Sequence, residues 1–146
     1  MDLLLWRHAE AEAGYPDGAR PLTAKGRKQA EKLASWLKGR LPADARILAS
    51  PALRAQQTAA ALTNRVETAA ALDTGAEAEA ILSAAGWPAA GGAVVVVGHQ
   101  PTLGRVAALL LAGQETDWAI KKGALWWFRQ RQGEPRLHAV IASELV

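Results

Sequence analysis

Apolar positions fall along this chain in two patterns, and the change from one to the other marks its elements. Leu3-Leu4-Leu5-Trp6 is an unbroken apolar run, and so is Ala93-Val94-Val95-Val96-Val97. Neither alternates, so each reads as a strand covered on both faces, the habit of parallel central strands. Ile47-Leu48-Ala49 is a shorter run of the same kind. Between these runs the period becomes helical. Ala30, Leu33, Ala34, Leu37 and Leu41 form a stripe behind Thr23, a residue suited to cap a first turn, and Gly39 and Pro42 end that helix. Ser50-Pro51, read as an N-cap serine with proline at the first helical position, predicts a second helix to about Thr63. Val66 to Thr68 is a weak strand, Glu77 to Ala85 a short helix closed by Gly86 and Pro88, and Thr102 to Ala112 a further helix. Ala124 to Arg129 and Arg136 to Ile141 read as two strands joined through Gln132-Gly133-Glu134-Pro135. Strands alternating with helices predict an α/β three-layer sandwich around a mostly parallel central sheet, with the last hairpin placing an antiparallel strand at one edge.

Composition narrows this only a little. The 146 residues suit one domain, 1–146, and half of them are hydrophobic, as in ordinary globular proteins. The chain has no cysteine, which excludes a disulfide framework, a thiolate zinc site and a cysteine nucleophile. The apolar N-terminal run is too short for a signal peptide or a membrane span, so a cytoplasmic protein with no membrane contact is expected. The net charge of +3 admits either a nucleic-acid surface or an anion pocket. Only Arg27-Lys28 and Lys121-Lys122 are adjacent cations, which disfavours a nucleic-acid stripe.

Candidate chemistry changes the picture more. Three apolar runs each end in residues suited to one crevice: Arg7-His8 after the first, Ser50-Pro51 with Arg54 after the second, and Gly98-His99 after the valines. An isolated Arg-His pair reads as a solvated strand end followed by a turn. If the three strands are parallel neighbours, all three groups rise from the carboxyl edge of the sheet, where open α/β folds hold ligands. Two arginines and two imidazoles without a carboxylate make an anion site, since guanidinium forks match phosphate oxygens. A histidine there is a candidate nucleophile toward phosphorus, and its cationic neighbours disfavour its own protonation.

Arg7-His8, the run Ser50-Pro51-Ala52-Leu53-Arg54-Ala55-Gln56-Gln57-Thr58-Ala59, and Gly98-His99-Gln100-Pro101 together resemble the histidine phosphatase superfamily. The segment Arg20-Pro21-Leu22-Thr23-Ala24-Lys25-Gly26 is similar to the SixA-type phosphohistidine phosphatases within it. The resemblance runs from about Leu3 to Ile141. It implies a phosphoglycerate-mutase-like fold, His8 as a transiently phosphorylated nucleophile, and Arg7, Arg54 and His99 around the phosphoryl group. Arg20 matches a further phosphate-contacting arginine of the SixA-like branch. No metal or other cofactor is implied. Two departures stand out: Ala9 replaces the usual glycine after Arg-His, and no acidic residue sits in a recognisable proton-donor pattern, with Asp73, Glu77, Glu79, Glu10 and Glu12 as candidates.

The implied activity is a phosphohistidine phosphatase acting on a phosphorylated protein such as a histidine-containing phosphotransfer domain. A phosphatase of small phosphorylated metabolites with the same chemistry is the alternative, a non-catalytic phosphoprotein-binding module a weaker one, and a nucleic-acid binder the weakest.

Overall fold

The computed structural model describes residues 1–146. In chain order the elements are β1 (Asp2–Arg7), α1 (Ala24–Leu37), β2 (Arg46–Ala49), α2 (Leu53–Ala60), β3 (Val66–Thr68), α3 (Ala78–Ala85), β4 (Ala93–Gly98), α4 (Thr102–Ala112), β5 (Leu125–Arg129) and β6 (Arg136–Ile141). The strands form one sheet in the order β3-β2-β4-β1-β5-β6. β3, β2, β4 and β1 are mutually parallel; β5 runs against β1, and β6 runs against β5. The antiparallel member of the closing hairpin is therefore β5, one place in from the edge, and β6 is the edge strand. No helix is long and apolar enough to cross a membrane.

The unbroken apolar runs are explained by helices on both faces. Leu3, Leu5, Val94 and Val96 pack with Ile81 and Leu82 of α3 and with Leu103 and Val106 of α4. Leu4, Trp6, Val95 and Val97 point the other way, onto Leu33 and Leu37 of α1 and Ala55 and Ala59 of α2. Every one of those eight strand side chains is essentially sealed from solvent. Each such burial is worth about 1.5–3 kcal/mol, which fixes the register of the strands that end at the site.

Two expected boundaries move. α1 ends at Leu37, and Leu41 continues the apolar stripe from the following loop, half-buried against the same core. α2 begins at Leu53 rather than at Ser50, with Ala52 in the capping position and no side-chain cap, and it ends at Ala60. The Ser50 hydroxyl accepts from the Ala52 N–H at 3.2 Å and so closes a turn ahead of the helix. The expected cap on α1 is present, with Thr23 Oγ1 accepting from the Gly26 N–H at 2.9 Å.

What positions the site is the neighbourhood of β1 and β4, where Arg7 is in register with Gly98. The chain leaves β1 toward the α1 face and leaves β4 toward the α4 face. The carboxyl ends of these strands are thus a topological switch point, where open sheets leave a crevice. The segment leaving β1 is pinned. Ala9, fully buried, donates its N–H to Thr58 Oγ1 at 3.0 Å, and Thr58 in turn donates to the Arg54 carbonyl at 2.8 Å. The Thr23 N–H donates to the Glu10 carbonyl at 3.0 Å. Gly26 lies so near that a Cβ there would stand 1.9 Å from the same oxygen, so only glycine admits this approach.

Candidate active site

His8, Arg54 and His99 meet in the β1/β4 crevice. Arg54 is almost wholly buried, and its Nε–H points at His8 Nε2 across 3.4 Å, while its Nη2 lies 3.5 Å from His99 Nδ1. The two imidazole rings are 5.2 Å apart between centroids. Arg7 reaches the same crevice from the end of β1. Its Nη1 donates to the Ile120 carbonyl at 2.8 Å, while its Nε is buried with no protein partner.

The protonation of His8 follows from its neighbours. Its Nδ1 lies 2.8 Å from the Ala9 carbonyl, and a carbonyl can only accept. Nδ1 therefore carries the hydrogen and Nε2 presents a lone pair toward Arg54. Burial pushes the ring down to about 4, opposed by the Ala9 hydrogen bond and helped by the charge His99 would carry if protonated and by the Arg54 and Arg7 guanidiniums. His99 is also pushed down to about 4, by burial and then by Arg54, with Asp73 and Asp17 acting the other way. Both rings are thus neutral near pH 7, and the positive charge of the site resides on arginine.

The cavity over these groups has a volume of about 230 Å³ and is lined by Arg7, His8, Ala11, Arg20, Arg54, Thr74, His99, Gln100 and Lys122. Four cations and two imidazoles line it, with no carboxylate. Arg20 stands here as expected, but its guanidinium is already engaged, with Nε donating to Asp17 Oδ1 at 3.0 Å and Nη1 to the Glu12 carbonyl at 2.9 Å. A larger cavity of about 480 Å³ lies under the β5–β6 hairpin, but Arg129 and Arg131 beside it already pair with Asp2.

Among the acidic candidates, Glu10 is drawn away, its Oε2 accepting from Thr23 Oγ1 at 2.8 Å. Glu77 stands exposed at the start of α3. Asp73 is nearer the site, beside the cavity-lining Thr74, and its charge acts on His99.

Ser50 was readable from sequence only as a helix cap, and the structure corrects that. Its Oγ lies 2.7 Å from His99 Nε2, the ring nitrogen opposite Arg54. With Arg54 donating toward Nδ1, His99 Nε2–H is the donor to Ser50, which fixes the tautomer and leaves Nδ1 turned toward the crevice. The available signal was positional: Ser50 follows a strand adjacent to the one that ends at His99, so hydroxyl and imidazole share one sheet edge.

The depressed histidines make a prediction with a definite sign. In the unfolded chain each ring titrates near 6.5, whereas in the fold each resists protonation down to about 4. Between those values the unfolded state holds more protons, so stability falls as the pH drops from 6.5 to 4. The slope is about 1.4 kcal/mol per pH unit for each such ring. Activity of the free enzyme should stay level from neutrality to about pH 5 and decline with a midpoint near 4, measured as kcat/KM. A midpoint near 6.5 would mean that the rings titrate as solvated imidazoles.

Comparison with known proteins agrees with this geometry. Residues 3–79 match the family described as histidine phosphatase superfamily (branch 1). An uncharacterized protein of Mycobacterium tuberculosis is 33% identical over 132 residues, spanning 78% of this chain and 75% of that protein. The phosphohistidine phosphatase SixA of Escherichia coli is 41% identical over 59 residues, 40% of this chain and 37% of that protein. Over the whole fold, the structure of a protein histidine phosphatase SixA complexed with tungstate superposes with a TM-score of 0.83 at 25% identity, covering 99% of both chains. With Arg7-His8, Arg54 and His99 gathered at one crevice of this fold, the chain belongs to the histidine phosphatase superfamily, branch 1, as a SixA-like phosphatase.

Proposed function

We propose that this phosphatase removes the phosphoryl group from phosphohistidine carried on a protein, with His8 as the nucleophile. The observation that carries the reading is the state of His8. Its Nδ1 hydrogen is committed to the Ala9 carbonyl, its ring is neutral at working pH, and its Nε2 lone pair faces a cationic cavity. In the first step Nε2 attacks phosphorus, and the phosphorus–nitrogen bond of the substrate breaks with its electron pair going to the leaving imidazole, which takes a proton from solvent. Water then attacks phospho-His8 and releases inorganic phosphate, returning the lone pair to Nε2. Arg7 and Arg54 hold the phosphoryl oxygens and stabilise the charge that builds on them, and Arg20 contacts them from the rim. His99, anchored through Nε2–H on Ser50, walls the same pocket and would donate to an oxygen only on taking a proton at Nδ1.

Two features favour phosphohistidine on a protein. The cavity lining offers no carboxylate to protonate a leaving alkoxide, whereas an imidazole leaves without such help. The volume of about 230 Å³ is below the roughly 300–1,000 Å³ typical of sites that enclose a small molecule. It suits a phosphoryl group presented on a larger surface, such as a histidine-containing phosphotransfer domain. The small-metabolite reading keeps one observation of its own, the nearness of Asp73 to His99.

The test is phosphate release from a phosphohistidine protein, an aryl phosphate and a sugar phosphate, each with excess EDTA present. Rates should fall steeply in that order, survive the chelator, and change little in Asp73→Asn. Efficient sugar-phosphate hydrolysis that Asp73→Asn abolishes would move the assignment to small metabolites. Activity lost to EDTA and restored by a divalent cation would overturn the mechanism.

A further inference from the structure

We infer that Asp17 is the positioning residue of the site, a carboxylate that sets the guanidinium planes of Arg54 and Arg20 so that both face the phosphoryl group. The inference rests on the phosphoryl site proposed above and goes beyond it, because Asp17 neither lines the cavity nor touches either histidine through a hydrogen bond.

The geometry is a clamp. A short 3-10 turn at Asp17–Ala19 packs on α2 and brings Asp17 beside Arg54. Arg54 donates Nη1 to the Asp17 backbone carbonyl at 2.8 Å and Nη2 to Asp17 Oδ2 at 3.0 Å. Two bonds to one residue define the plane of the fork, which leaves Nε directed at His8 and Nη2 within reach of His99. The other carboxylate oxygen, Oδ1, takes Nε and Nη2 of Arg20, each at 3.0 Å. One acid thus ties an arginine of α2 to an arginine of the loop between β1 and α1. Paired with two arginines, Asp17 is held below its usual carboxylate range, so it stays ionised and is unsuited to act as the proton donor.

Simple charge arithmetic and positioning predict opposite signs, which makes the idea testable. Asp17 is 58% exposed, and removing a negative charge beside an anion site should by Coulomb attraction alone tighten anion binding. If the clamp matters more, releasing the two arginines loosens it. The experiment is calorimetric titration of the protein with inorganic phosphate, together with kcat and KM on an aryl phosphate. Asp17→Asn should weaken phosphate binding by about tenfold and lower kcat by roughly 10- to 100-fold, the scale of a small misplacement of a reacting group. In an Arg54→Lys background the same change should cost several-fold less than in the wild type, because only the Arg20 arm of the clamp is left to lose.

Asp17→Glu keeps the charge and should recover part of the binding; thermal melts establish that each variant is folded. Unchanged or tighter phosphate binding in Asp17→Asn, or full additivity with Arg54→Lys, would overturn the clamp while leaving the reading of His8 intact. Failure of the wild type to bind phosphate would overturn both.

Discussion

His8→Ala should abolish turnover, by at least about 10⁴-fold, while leaving the fold in place. The magnitude is that of removing the nucleophile from a site whose remaining groups still bind substrate. His8 sits at the carboxyl end of β1 with its ring against Arg54 rather than in the hydrophobic clusters, so truncation opens space in the crevice and spares the sheet core. Burial, with Arg54 and Arg7 beside it, holds the ring neutral, and the Ala9 carbonyl holds the hydrogen on Nδ1. His99 also turns a ring nitrogen, Nδ1, toward the crevice, 3.5 Å from Arg54, so labelling separates the two rings. The measurement is single-turnover incubation with labelled substrate and an alkaline quench, which preserves phosphohistidine. Label on His8 is the expected result. Label on His99 in the wild type, or activity retained in His8→Ala, would sink the assignment.

The second large effect is expected at Arg54. Lysine there keeps one positive charge but gives up the planar fork, and each nitrogen of that fork has its own acceptor. Nε addresses His8, Nη1 the Asp17 carbonyl, and Nη2 both the Asp17 carboxylate and His99. An ammonium on a flexible stem cannot meet three directions fixed in one plane. Arg54→Lys should therefore lower kcat by about 10²–10³, the usual result of removing one donor to a developing oxyanion, with a smaller change in KM. Near-wild-type kcat would mean that charge alone suffices and the fork geometry is irrelevant.

Most of the fold could be read from the apolar runs, because burial on both faces leaves a continuous signature. Leu3-Leu4-Leu5-Trp6 and the valines of β4 pack alternately on opposite layers, as their lack of alternation implied. Arg7, His8, Arg54 and His99 could be read because strand ends in a parallel sheet share an edge. Ser50 and Asp17 could not, for different reasons. A serine before proline carries a strong local signal for a helix start, and the tertiary bond to His99 overrides it. Asp17 lies in a loop rich in turn residues, where a carboxylate ordinarily meets only water. What recruits it is the side chain of Arg54, distant in sequence, and no local periodicity encodes that meeting.

The strand order also bears on how the protein acquires its activity during folding. Both neighbours of β1, namely β4 and β5, come from the last third or so of the chain. Leu3 to Trp6 thus remains an unpaired apolar segment until β4 arrives, and bringing the two together must overcome the closure entropy of the long chain between them. Such non-local pairing is slow compared with helix formation. His8 and Arg54 can be present in a partly folded chain, but their crevice cannot, because its other wall is the end of β4. Oxyanion affinity should therefore appear only with the final sheet, later than helical content in a refolding experiment, and bound phosphate would report completed folding rather than collapse.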